Sequence, residues 1–107
     1  MRVNQPVDDL GRFSGPALAI LTCLADGPKH GYAMIAESKA LGLELGLGTL
    51  YGAINRLERL GLIEPLPAED RRRPYRLTPA GAAFHKTELE RLRRLVRAGE
   101  RKWGIAT

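Results

Sequence analysis

Residues 48–61 read GTLYGAINRLERLG, and the residues in it that can do chemistry fall together. At 100° per residue, Gly48, Gly52, Asn55 and Arg59 share one side of a helix, flanked by Tyr51 and Arg56. An asparagine amide can pair with both edges of adenine, an arginine can read guanine or grip phosphate, and a tyrosine can donate to phosphate. A helix that only covers a core usually shows Glu and Lys to water. Gly52 here costs about 1 kcal/mol relative to Ala, and glycines at this place let the backbone come close to another molecule. The alternative for Gly52 is tight packing against the preceding helix, and the residue alone does not choose between the two. For the whole set, read with the basic segment that follows, DNA is the favoured partner.

The opposite side of the same stretch is apolar: Leu50, Ala53, Ile54, Leu57 and Leu60 face a core, and Gly61 is the stop. Upstream, SGPALAILTCLADG predicts a first helix capped at Ser14 or Gly15, with Pro16 in the first helical position and Gly27 at the end. Its buried stripe is Ala17, Leu18, Ile20, Leu21 and Leu24, and Cys23 is a buried filler. A second helix runs from Gly31 to Leu41 with Tyr32, Ile35 and Ala36 inward, and LELG is a candidate short strand before the third helix. LIEPLP and PYRLT then form a two-stranded hairpin around the basic loop PAEDRRRP. Thr78 caps a last helix that begins at Pro79 and runs to about Trp103. Residues 1–13 show no periodicity and read as an arm.

The order is helix, helix, helix, hairpin, long helix: a mainly α winged helix-turn-helix over residues 14–78, with a C-terminal dimerisation helix and tail over 79–107. That last helix has no place in the small core. Leu89, Leu92, Val96, Gly99 and Trp103 follow alternating spacings of three and four, a heptad seam that Phe84 and Leu95 widen. A second copy covering this seam is favoured over a helix folded back on its own domain. Trp103 could stack on a flat ligand, but end-of-helix packing fits its position better and no ligand site is assigned.

Charge agrees with a polyanionic partner. The 107-residue chain carries +5, divided very unevenly. Residues 1–70 hold six Lys/Arg against nine Asp/Glu, and residues 71–107 hold eleven against three. Arg71, Arg72 and Arg73 occupy the hairpin tip, where guanidiniums can hold phosphate or enter a narrow minor groove. About three phosphate contacts per subunit would give a dimer a salt slope near −5. With two histidines, one cysteine and no glycine-rich loop after a strand, the chain offers no enzyme active site, and the binding chemistry requires no metal or cofactor. No apolar run approaches the roughly 20 residues of a membrane span, so no membrane partner is expected and the cytoplasm is the expected compartment.

HGYAMIAES, LGLGTLYGAINRLERLGLIE and RRRPYRLTPAG together resemble the PadR family of bacterial transcriptional regulators over roughly residues 16–85. That resemblance implies a homodimeric winged helix-turn-helix that represses neighbouring genes from a palindromic operator, in its short form with one C-terminal helix. It implies DNA-facing positions for Thr49, Tyr51 and Asn55. It leaves Arg56 between DNA and an acid of its own subunit, and lets Lys29, His30 and Tyr32 touch phosphate at the head of the second helix. For Tyr32 a core position is the stronger reading. The chain departs from the family pattern with Gly46-Leu47-Gly48 where Ser-Pro-Gly is usual, and with Gly52 in place of a later proline. A small-molecule effector of unknown identity is left open. The alternative function is a winged-helix protein-interaction module that never meets DNA.

Overall fold

The computed structural model describes residues 14–105; the arm expected at 1–13 lies outside them. Helix α1 (Ser14–Leu24) buries Ala17, Ile20, Leu21, Cys23 and Leu24, with Leu18 half-buried, so the expected stripe forms. It begins two residues ahead of Pro16. The Cys23 thiol meets the Met34 carbonyl at 3.8 Å and the Ser38 hydroxyl at 3.7 Å, joining α1 to the next helix. Burial pushes its pKa above the usual thiol value, which keeps it an unreactive filler.

After α1 the chain makes a two-residue strand, β1 (Lys29–His30), and enters α2 (Gly31–Ala40). The inward face of α2 is Gly31, Met34 and Ser38. This corrects the expected Tyr32, Ile35 and Ala36: Tyr32 is 63% exposed, Ala36 is exposed and Ile35 is half-buried. The apolar residues of α2 fall all round the helix, so periodicity does not select a face. The contact that does is backbone proximity at Gly31, where a methyl would come within 3.2 Å of the buried Leu50 side chain.

Residues 43–46 form no strand, contrary to expectation; they lead directly into α3 (Leu47–Arg59). Leu50, Ala53, Ile54 and Leu57 of α3 are fully buried and Leu60 is half-buried. Gly61 ends the helix with φ +75°, a left-handed conformation that glycine adopts without strain.

Strands β2 (Ile63–Pro65) and β3 (Pro74–Leu77) pair antiparallel, with Ile63 opposite Leu77, Glu64 opposite Arg76 and Pro65 opposite Tyr75. The hairpin is one side of a three-stranded sheet in the order β1-β3-β2, because Lys29 and His30 pair with Tyr75 and Pro74. A strand of two residues has no alternation to betray it in a sequence.

Helix α4 (Pro79–Lys102) opens as expected, with the Thr78 hydroxyl accepting from the Gly81 N–H at 3.0 Å and donating to the Gly61 carbonyl at 2.6 Å. One hydroxyl thus caps α4 and fastens it to the end of α3. At Gly81 the backbone lies so close to Leu62 that a Cβ would stand 1.8 Å from the Leu62 carbonyl oxygen. The first turns of α4 are therefore part of the core, where sequence patterning placed the whole helix outside it. Gly81, His85 and Glu88 are buried, and Phe84 packs half-buried against the same cluster.

Candidate nucleic-acid interface

Helix α3 divides as its sequence divides. Gly48, Thr49, Asn55 and Arg59 are exposed, Tyr51 is 41% exposed, and Gly52 and Arg56 are half-buried at the margin. A Cβ built on Gly48 or Gly52 would meet nothing within 4 Å. Packing against α2 therefore does not explain Gly52. What the missing side chains leave is bare backbone on a face that also presents a phenol, an amide and a guanidinium. Such a face suits close approach to a grooved polyanion.

Tyr51 is not a free-swinging side chain. Its hydroxyl lies over Gly31 at the start of α2, close enough that a Cβ on Gly31 would stand 2.5 Å from it. The first turn of α2 thus forms a shelf for the phenol, and the adjacent Tyr32 is exposed on the same stretch.

The residues preceding α2 divide in role. The Lys29 ammonium binds the Asp26 carboxylate and the Cys23 carbonyl, with Glu37 at 3.7 Å. The pairing pulls Asp26 below and pushes Lys29 above their usual pKa values. Lys29 thereby closes the α1–α2 turn, and three partners compete with any phosphate for its charge. His30 stands next to the wing instead, with Nε2 3.5 Å from the Arg72 guanidinium.

The wing is built on a two-residue turn. Glu69 and Arg72 exchange both backbone hydrogen bonds, 2.6 and 2.8 Å, and Asp70 and Arg71 take φ of +50° and +66° between them. Positive φ at both central positions is the geometry that matches the twist of a tight hairpin, though asparagine and glycine are its usual occupants. Arg71, Arg72 and Arg73 are all exposed. Arg73 donates to the Leu66 carbonyl at 2.7 Å, bracing the loop, and Arg76 pairs with Glu64 across the strands at 2.6 Å. Exposed pairs of this kind contribute about 0–1 kcal/mol.

Farther along α4, Leu89, Leu95, Val96 and Trp103 stand 47–84% exposed, with Leu92 and Gly99 half-buried. Phe84 turns away from this stripe toward its own core. Glu90 and Arg94 make the expected pair one turn apart, at 3.6 Å. Sequence patterning missed the burial of His85, whose Nε2 lies 3.0 Å from the Thr22 hydroxyl. Its spacing of four from Gly81 and three from Glu88 was the available signal. Among the described residues no helix is long and apolar enough to cross a membrane, and no acidic, histidine or cysteine cluster has the makings of a metal site.

Residues 20–87 match the transcriptional regulator PadR-like family. The chain belongs to that family. This PadR-like regulator is 39% identical over 89 residues to transcriptional regulator Rv3488 of Mycobacterium tuberculosis, a match covering 78% of this chain and 83% of the relative. It is 44% identical over 85 residues to an uncharacterized 37.1 kDa protein in transposon TN4556 of Streptomyces fradiae, and spans 25% of that protein's length. A PadR-like transcription factor from Bacteroides fragilis superposes with a TM-score of 0.75 at 23% identity, covering 91% of this chain and 98% of the other. Its likeness is one of fold: the winged helix followed by a long helix is the shared architecture.

Proposed function

We propose that this PadR-like regulator is a cytoplasmic homodimer that binds a palindromic operator in double-stranded DNA and represses the genes beside it, with release by an effector. The observation that carries the reading is the pairing of open glycine backbone at Gly48 and Gly52 with the exposed Thr49, Tyr51, Asn55 and Arg59 on one helix face. In the proposed complex that face enters the major groove, with Arg56 at its edge. Arg71 and Arg72 hold phosphate alongside, Arg73 supports the loop that carries them, and His30 adds a contact beside Arg72. Lys29 contributes structure more than charge, given its partners.

Dimerisation supplies the second half-site. The stripe of Leu89, Leu92, Leu95, Val96, Gly99 and Trp103 offers water a continuous apolar seam that a second α4 would bury. Repression follows from what the family resemblance implies; release by an effector of unknown identity is part of the proposal.

Duplex from upstream of the protein's own gene, titrated at two salt concentrations, tests the reading. Tyr51→Ala should weaken the specific duplex most, and an Arg71/Arg72/Arg73 triple alanine should weaken every duplex and flatten the salt response. Leu95→Glu with Val96→Glu should convert the dimer to monomers in light scattering and lower operator affinity. A wild-type chain indifferent to all duplexes at low salt would favour the protein-interaction module instead.

A further inference from the structure

We infer that Gly31 is a positioning residue for DNA recognition, required to be glycine because the Tyr51 phenol rests where a side chain would be. The inference rests on the DNA-binding reading of α3 but concerns a residue outside that helix.

Three distances carry it. A Cβ on Gly31 would stand 2.5 Å from Tyr51 Oη, 3.1 Å from Tyr51 Cζ and 3.2 Å from Leu50 Cδ2. The first is far inside van der Waals contact, and the other two are tight. The worst clash is with the far end of a side chain that is 41% exposed and has water to move into. The Leu50 contact is with a fully buried side chain in a close-packed core, where only a few tenths of an ångström need give. A methyl at position 31 would thus displace the phenol before it disturbed the fold. Gly31 takes no positive φ and lies in the first turn of α2, where alanine is otherwise the better helix former. Backbone conformation does not demand glycine here; the space occupied by Tyr51 does.

The consequence is on orientation. Tyr51 sits on α3 while its hydroxyl is set by α2, so the phenol is held between the two helices of the helix-turn-helix. A hydrogen-bonding group fixed before the ligand arrives loses less freedom on binding. Displaced from Gly31, the hydroxyl would still be present and still able to donate, but no longer from the same point.

The test is a double-mutant cycle with two readouts. In the free protein, thermal unfolding is measured for wild type, Gly31→Ala, Tyr51→Phe and the double variant. Replacing Tyr51 by Phe removes the atom at 2.5 Å and leaves the nearest contact at 3.1 Å, so Gly31→Ala should lower the melting temperature less in the Phe background. Additive shifts would overturn the contact. In the DNA assay, Gly31→Ala should reduce the ratio of specific to non-specific affinity by about tenfold, the scale of losing one hydrogen bond to a charged or base-edge acceptor. The salt slope should stay unchanged, since no cation is removed. Gly31→Ala should cost little further specificity once Tyr51 is Phe. A coupled cycle with an unaltered specificity ratio would overturn the role while leaving the contact. If wild type binds no duplex, the function and the role fall together, and the unfolding cycle still decides the geometry.

Discussion

His85 Nε2 on α4 lies 3.0 Å from the Thr22 hydroxyl on α1, joining positions 63 apart in the chain, with His85 buried and Thr22 at the surface. Burial holds the imidazole pKa below its ordinary 6.5, because the charged form loses hydration there. The unfolded chain therefore binds the proton more tightly than the folded one. The His85 contribution to stability is whole above about pH 6.5 and is lost progressively as pH falls below that. Thermal unfolding should show a lower midpoint at about pH 5.5 than at about pH 7.5. His85→Gln, which does not titrate, should shrink that difference.

Gly81→Ala should be the most damaging single-methyl change at any of the described glycines. The added carbon would stand 1.8 Å from the Leu62 carbonyl oxygen and 2.8 Å from its carbon, both backbone atoms that cannot rotate away. Relief requires α4 to lift from Leu62, beside the point where Thr78 fastens it to the end of α3. A loss of about 3 kcal/mol or more in denaturant unfolding is expected, at the upper end of overpacking costs.

Gly52→Ala should act in the opposite direction on stability. Nothing lies within 4 Å of the new methyl, and an α-helical interior favours alanine by about 1 kcal/mol. The free protein should gain roughly that amount. DNA affinity should fall by about tenfold, since the methyl stands on the face proposed to approach the groove. A variant more stable and equally tight on DNA would remove Gly52 from the interface.

The wing turn stores a smaller conflict. Asp70 and Arg71 both hold left-handed backbone, which costs non-glycine residues about 1–2 kcal/mol each relative to the favoured regions. Replacing the pair by Asn-Gly should raise the unfolding midpoint. Removing the Arg71 charge from both subunits of a dimer should also reduce the magnitude of the salt slope by about 2. Arg71→Lys should keep the slope and gain no stability, separating charge from conformation.

Legibility followed the strength of the pattern. Helix α3 carries its apolar residues on one face and its polar ones on the other, so both its buried set and its exposed set were readable from spacing. The Thr78-Pro79 start of α4 was readable because capping is a local chemistry of adjacent residues. The inward face of α2 was not, since its apolar residues surround the helix and the deciding contact, Gly31 against α3, lies between distant positions. For the same reason β1 escaped notice: two residues acquire strand character only through Tyr75 and Pro74. The engagement of Lys29 by Asp26 and Glu37 likewise depends on the turn that brings them together. Charge in a sequence indicates supply; only the fold shows how much of it is already spent at home.

Strand β3 is hydrogen-bonded on both edges, to β2 on one side and to Lys29–His30 on the other. The peptide that leads into α2 is therefore yoked to the arginine-bearing hairpin. A pull on the wing by phosphate in the proposed complex would pass through that one strand to the ledge beneath Tyr51. In the proposed complex the loop and the reading helix seat together, as one rigid jaw closing on the duplex.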